Sequence, residues 1–273
     1  MPELPEVETI ARGLHRSLQG RRIESVDVYW EGSVHNEQPE FLARVQGRAV
    51  VRTHRRAKLL LMDLEGGIRL AFHLKMTGRV VHEAERERQP HDRVRFTLDN
   101  GSVLTFADVR KFGYVRAFAD REIEEWKFWR TLGPEPLEAS AESLAESVRG
   151  RAARIKALLL DQSVVAGVGN IYADESLFRA RLRPDCKACC IPYDRLVELF
   201  NHLKEVLEQA IAENGSSIRD YVNADGDAGA FQNSFNVYGK KGESCPRCGC
   251  GLTARKVAGR TSTFCPGCQE DAF

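Results

Sequence analysis

No apolar run in the 273 residues approaches the roughly 20 needed to cross a bilayer, and the N-terminus lacks the basic start and apolar centre of a secretory signal. A cytoplasmic protein with no membrane partner is the expectation. Net charge is almost absent as well. The 40 Lys and Arg balance 39 Asp and Glu to leave +1, so bulk charge argues neither for nor against nucleic acid, and local charge must decide. Internal repeats and low-complexity stretches are missing, which excludes a solenoid. The missing export signal changes the reading of the eight cysteines, which are expected to be thiols or metal ligands rather than disulfides. What remains is a 42% hydrophobic chain long enough for two domains with cores of their own.

The hydrophobic pattern divides the chain. Val7, Ile10, Ala11 and Leu14 recur at helical spacing, and this helix should stop before Gly20. Extended patterns follow: Val26, Val28 and Trp30 alternate, Val50 to Leu64 is rich in β-formers, and Ile68 to Leu74 offers another strand. Val94, Phe96 and Leu98 lead through Asn100-Gly101 to Val103, Leu104 and Phe106, the pattern of a tight hairpin. Tyr114 to Phe118 closes the series, so a β-sandwich or barrel preceded by one helix is expected. Gly133-Pro134-Glu135-Pro136 interrupts both kinds of structure. Beyond it the pattern is helical: Ser140 to Arg149, Arg151 to Leu160, Ile171 to Arg179, and Tyr193 to Glu213 with Asn214-Gly215 as its stop. The fold class is α+β, and the expected divisions are residues 1–132, a linker at 133–138, a helical domain at 139–241 and a terminal module at 242–273.

That module holds the most specific local signal. Cys245-Pro-Arg-Cys248 and Cys265-Pro-Gly-Cys268 are separated by sixteen residues, the spacing of four thiolates around one tetrahedral zinc. With all four ligands from protein the metal has no open position, so one structural zinc per chain is expected, not a catalytic one. The segment has little apolar material, and zinc would supply its fold, about 10–16 kcal/mol in small zinc modules. Cys250 lies off the pattern. Cys186-Lys-Ala-Cys189-Cys190 contains another Cys-x-x-Cys, but no second unused pair follows at zinc spacing, and loop or partly buried thiols are expected there.

The first six residues carry a different chemistry. Trimming of Met1 would leave Pro2 as a secondary amine, a nucleophile. Pro5 suits the first turn of a helix, and Glu6 and Glu8 favour its positive end, so the amine would be anchored. Glu3 supplies a carboxyl group beside it. Taken alone, the same residues read more readily as a helix start with acidic capping.

They occur in company. Met1-Pro-Glu-Leu-Pro-Glu-Val-Glu-Thr9, Arg55-Arg-Ala-Lys58, His73-Leu-Lys-Met-Thr-Gly78, Asp108-Val-Arg-Lys-Phe-Gly113, Leu132-Gly-Pro-Glu-Pro136, Val168-Gly-Asn-Ile-Tyr172 and the four-cysteine module follow one another in order. The chain thereby resembles the bacterial formamidopyrimidine-DNA glycosylases over almost its whole length. The resemblance implies an N-terminal β-sandwich, a helix-two-turn-helix domain, a zinc finger, and double-stranded DNA containing oxidised purines or abasic sites bound between the halves of a monomer. It implies Pro2 as Schiff-base nucleophile, Glu3 as its acid, Lys58 in proton transfer during β-elimination, and Arg260 in δ-elimination and phosphate binding. His91, Arg110, Arg151 and Asn170 match DNA-contacting positions. Met76, Arg110 and Phe112 match residues that fill the hole left by an extruded nucleotide. Glu6 and Glu175 match acidic residues near the catalytic centre, and Ser217 to Gln232 resembles a segment that covers the flipped purine. Without the resemblance, Lys58 reads as a solvated lysine, and Met76 and Phe112 as core. Two rivals follow: the sister enzyme for oxidised pyrimidines, against which Leu4-Pro5, the filler trio and the long glycine-containing loop speak, and a zinc-ribbon protein that only recognises damage.

Overall fold

A computed structural model describes residues 1–85, 87–216 and 229–271. The chain forms two compact units, residues 1–130 with 213–230, and residues 131–212 with 231–273.

The first unit opens with helix α1 (Leu4–Leu18), which buries Val7, Ile10, Leu14 and Leu18 along one stripe and ends just before Gly20 at φ +82°. Strand β1 (Ile23–Val28) and helix α2 (Gln38–Val45) lead to β2 (Val50–Arg56), β3 (Leu59–Leu64), β4 (Ile68–His73) and β5 (Gly78–Glu83). Strands β6 (Asp92–Leu98), β7 (Val103–Asp108) and β8 (Tyr114–Ala119) follow, then the short helices α3 (Glu122–Glu125) and α4 (Lys127–Arg130). Two four-stranded antiparallel sheets result, in the orders β1-β6-β7-β5 and β2-β3-β4-β8. Their shared core contains Phe41, Leu60, Met62, Phe72, Phe96, Leu104 and Phe106, all no more than 1% exposed. On the other face of the second sheet, Leu59, Leu61 and Phe118 are covered by Ile123, Trp126, Phe128 and Trp129. The β6–β7 turn is the expected one: Gly101 sits at φ +81°, and the Asn100 side chain accepts from the Ser102 amide at 3.1 Å.

Several elements went unannounced by their residues, among them β5, α2, α3 and α4. Strand β5 has adjacent buried Val80 and Val81 instead of alternation, and α2 offers only Phe41 and Val45 as a buried pair. Trp30 falls beyond β1 and is 42% exposed.

The second unit contains α5 (Ala141–Val148), α6 (Ile155–Leu160), α7 (Asn170–Arg179) and α8 (Tyr193–Ala212), then the hairpin β9 (Thr253–Val257) and β10 (Arg260–Phe264). Helix α6 starts four residues later than the expected helix. Residues 151–154 instead run alongside 186–189, where the Ala188 amide donates to the Ala153 carbonyl at 3.0 Å and Arg154 bridges Lys187. The glycine–proline stretch at 133–136 is hydrogen-bonded into this unit, with Gly133 donating to the Gln162 carbonyl at 2.8 Å and Ala166 to that of Pro134 at 2.9 Å. Among the described residues no helix is long and apolar enough to cross a membrane.

Candidate functional site

In the first unit, Glu3 occupies the N-cap of α1, and its backbone N–H donates to Oε2 of Glu6 at 2.8 Å, one arm of a capping box. Pro2 and Glu3 are both buried, whereas Met1 is 51% exposed. The helix is tied to the second sheet by Glu8, which accepts from Arg12 at 2.7 Å and from Arg55 of β2 at 3.0 Å. Burial alone would raise the Glu8 carboxyl, but the two guanidinium groups hold it below its ordinary value. The other oxygen of Glu6, Oε1, accepts from the backbone N–H of Ser216 at 2.8 Å and from its hydroxyl at 3.0 Å. Gly215 lies against Glu6 at φ +77°, and a Cβ there would stand 3.1 Å from Glu6 Cγ. The Ala230 amide returns to the Glu213 carbonyl at 2.9 Å, closing the base of the segment between them. The stretch expected to cover a flipped purine, Ser217 to Gln232, lies largely outside the described residues.

Met76, Arg110 and Phe112 come together. The Arg110 guanidinium donates to the Met76 sulfur at 3.0 Å and sits 4.8 Å from the Phe112 ring centre. Met76 is 44% exposed and Phe112 55%, so neither is core. Neighbouring Val109, 54% exposed, widens the apolar patch and had no signal of its own in the sequence.

Buried Asp108 builds the loop that carries Arg110 and Phe112. One carboxylate oxygen accepts from the Thr77 hydroxyl and from the Arg110 amide at 3.2 Å, the other from the amides of Phe112 at 2.8 Å and Gly113 at 2.7 Å. Glycine is required at 113 because a Cβ would meet the Phe106 ring at 2.9 Å and the His73 carbonyl at 3.0 Å. Asp108 also donates its amide to the carbonyl of exposed His91 at 3.0 Å, which places that expected DNA contact beside the same loop.

His73 shapes the turn before Met76, its Nδ1 accepting from the amide of Lys75 at 3.2 Å while Lys75 takes φ 52°. The proton of the neutral ring is thereby assigned to Nε2. Burial, with help from Lys75 and Lys58, pushes the imidazole down to about 3. Lys58 itself is 7% exposed, in the β2–β3 turn, so it is not the solvated lysine its basic neighbours suggest.

In the second unit, Asn170 is the first residue of α7, and its Nδ2 donates to the carbonyl of Thr261 at 3.1 Å. Thr261 follows exposed Arg260 at the start of β10, so the structure brings Asn170 and Arg260 to one place. A buried ion pair holds them there. Lys156 Nζ, fully buried, donates to Asp174 at 2.6 Å and to the Thr261 carbonyl at 3.4 Å, and Asp174 in turn accepts from the Ser262 hydroxyl and the Thr263 amide. Burial raises Asp174 above its ordinary value, with Lys156 opposing it. Neither partner announced itself in the sequence: each reads as a surface residue of a helix. Arg151 is exposed on the ribbon before α6, and its carbonyl accepts from the Cys189 amide at 2.8 Å. Glu175, 1% exposed, accepts from the amides of Asn236, Val237 and Tyr238 at 2.9–3.1 Å, so its carboxylate organises the backbone leading into the terminal module.

Cys245, Cys248, Cys265 and Cys268 place four sulfurs within 4.8 Å of one another and could hold a metal ion. Pairs at 3.9 Å (Cys245–Cys268) and 3.5 Å (Cys248–Cys265) bracket the ~3.8 Å edge expected of a tetrahedron with metal–sulfur bonds of ~2.3 Å. The amides of Arg247 and Cys268 donate to the sulfurs of Cys245 and Cys265 at 3.4 and 3.3 Å, which supports thiolate charge.

Residues 1–115 match the model of the formamidopyrimidine-DNA glycosylase N-terminal domain, and residues 132–222 that of the formamidopyrimidine-DNA glycosylase H2TH domain. The chain is 42% identical to the formamidopyrimidine-DNA glycosylase of Nitratidesulfovibrio vulgaris, with 99% of this chain and 100% of the relative covered. Identity to the Geobacillus kaustophilus counterpart is 44%, again with 99% and 100% covered. Among solved structures, a Lactococcus lactis FPG variant in complex with Fapy-dG containing DNA superposes with a TM-score of 0.93 at 34% identity, covering 99% of this chain and 100% of that one. The Lactococcus lactis Fpg complex with abasic-site DNA gives 0.92 at 34% identity, covering 98% and 100%.

Proposed function

Because the chain belongs to the formamidopyrimidine-DNA glycosylase family, we propose that it excises oxidised purines, 8-oxoguanine and formamidopyrimidines, from double-stranded DNA and then cuts the strand at the abasic site. The observation that carries this reading is the trio of Met76, Arg110 and Phe112, all exposed, with Arg110 touching both of the others and itself held with Phe112 on a loop built by a buried carboxylate. Exposed apolar and aromatic side chains beside a guanidinium are costly in water unless they meet something. Extruding a nucleotide leaves a hole that an apolar wedge fills, and an orphaned base whose edge arginine's fork can pair. His91 beside the same loop, and Arg151, Asn170 and Arg260 in the second unit, supply phosphate contacts, with Asn170 at a helix N-terminus where free amides favour an anion.

The chemistry assigned to the N-terminus needs Met1 removed, since with Met1 attached the Pro2 nitrogen is an amide whose lone pair is delocalised. As a secondary amine it attacks the anomeric carbon while Glu3 protonates the sugar oxygen. The C–N bond to the base breaks and the base leaves with its electron pair and the proton shed by the Pro2 nitrogen. The bond from the anomeric carbon to the ring oxygen then breaks, its electron pair staying on the oxygen that Glu3 protonates, and the opened sugar is joined to the enzyme as an iminium. That iminium acidifies the adjacent carbon, so β-elimination and then δ-elimination follow, with Lys58 and Arg260 serving proton transfer and phosphate binding. A one-nucleotide gap with phosphates at both ends remains. The four-cysteine site is assigned one zinc with a structural role: all four ligands come from protein, and its task is to fold the hairpin that presents Arg260.

Matched duplexes test the substrate class. Duplexes carrying 8-oxoguanine or a formamidopyrimidine should be cleaved faster than the same duplex carrying an oxidised pyrimidine. Faster cleavage of the pyrimidine would assign the chain to the sister activity instead.

A further inference from the structure

The eight cysteines do not all belong to the metal site. Cys186 is buried, its sulfur 3.6 Å from the Glu270 carbonyl and 3.5 Å from Asp271 Oδ1. Cys250 is exposed next to the four ligands. Cys189 and Cys190 differ from both: they are adjacent, exposed, and their sulfurs stand 3.8 Å apart. The backbone holds them so. Residues Ala188–Cys190 form one 3-10 turn, and the amides of Ala188 and Cys189 donate to the carbonyls of Ala153 and Arg151 at 3.0 and 2.8 Å. The Cys186 carbonyl accepts from Ile155 at 2.8 Å, which fixes the other end of the ribbon.

Two chemistries compete for neighbouring thiols. A disulfide between them fits poorly, because consecutive Cα atoms are about 3.8 Å apart, whereas unstrained disulfides span about 4.4–6.8 Å. The pair should therefore rest reduced. A bridging thiophilic atom asks for something else: two sulfurs near van der Waals distance, with the bridge between them. Bonds of ~2.3 Å meeting at a tetrahedral angle put sulfurs ~3.8 Å apart, the separation seen here. Thiolates select soft partners over hard ones.

We propose that Cys189 and Cys190 form a two-sulfur binding site for thiophilic ligands, trivalent arsenicals being the class that fits it. The reaction needs no redox partner. An aryl arsenoxide loses its As=O bond and the two thiols lose their S–H bonds; two As–S bonds form, the oxygen leaves with both protons as water, and arsenic stays trivalent. The second As–S bond closes within one turn of fixed backbone, so it gains an intramolecular advantage of roughly 10²–10⁴ over a single thiol.

Phenylarsine oxide added in equimolar amount to the reduced, metal-bound full chain tests this by intact mass, peptide mapping and metal content. The expected result is one adduct per chain on the peptide carrying Cys189 and Cys190, with the metal retained. Cys189→Ser and Cys190→Ser should each weaken binding by at least about 100-fold. Both side chains are exposed, and a thermal melt of each variant checks that the fold is kept. Adducts on Cys245, Cys248, Cys265 or Cys268 with metal release would overturn the proposal. So would unchanged affinity in the variant carrying both Cys189→Ser and Cys190→Ser, or a Cys189–Cys190 disulfide in the protein as isolated.

Discussion

His73 shows how a single side chain can link solution pH to the turn that carries Met76. Its Nδ1 accepts from Lys75 and its ring is held neutral, with a folded value of about 3 against an ordinary 6.5. The unfolded chain therefore binds a proton that the folded one refuses, and stability falls as pH drops from 6.5 toward 3. Above 6.5 both states are neutral and the contribution is flat. Urea melts between pH 6.5 and about pH 5, above the range of most carboxylates, should show a falling midpoint for the wild type. In His73→Gln, which keeps an acceptor but cannot ionise, the slope should flatten; an unchanged slope would place the titration elsewhere. Asp108 was legible only as part of a motif. Its work, accepting from Thr77, Arg110, Phe112 and Gly113, depends on the chain folding back on itself, which no spacing rule describes. Met76 and Phe112 show the same limit from the other side: spacing allows core packing, and only their exposure rejects it.

Among the elements, the β9–β10 hairpin is assigned two supports, the zinc proposed for the four-cysteine site and the Lys156–Asp174 ion pair. For the first, Cys265→Ser should lose the bound zinc and weaken duplex binding with it, measured as metal stoichiometry and as a binding isotherm. Unchanged stoichiometry would refute the ligand set. For the second, Lys156→Met leaves Asp174 as a buried, uncompensated carboxylate, and breaking such a pair costs ~3–5 kcal/mol. Removing both charges, as Lys156→Met with Asp174→Leu, should recover most of that loss in denaturant melts, because apolar replacements of buried pairs are often neutral. Additive losses in the double variant would contradict the pairing. Elements were the most legible level of the sequence. Alternation announced β6, the Asn100-Gly101 turn with the apolar Val103, Leu104 and Phe106 beyond it announced β7, and the apolar stripe announced α8. Strand β5 escaped because Val80 and Val81 are adjacent, and α6 came out shorter than its pattern because residues 151–154 pair with 186–189 instead. That pairing is a tertiary preference overriding a local one.

At the scale of the molecule, the opening six residues matter more than their length suggests. Glu6 joins the start of α1 to Ser216, 210 positions away, so the backbone of Glu3, next to the proposed nucleophile, and the base of the expected purine-covering segment share one carboxylate. Sequence could supply the residues of this arrangement through resemblance, but not the bond between them. On the proposed reading the nitrogen of Pro2, freed of Met1, is the atom that joins DNA. Borohydride reduction during reaction with an abasic-site duplex, followed by peptide mapping, tests it most directly when the protein lacking Met1 is compared with one that retains it. DNA is expected on residue 2 of the first, and for the second normal duplex binding with neither trapping nor cutting. Full trapping by the Met1-retaining protein would contradict it and move the nucleophile to a lysine, Lys58 first.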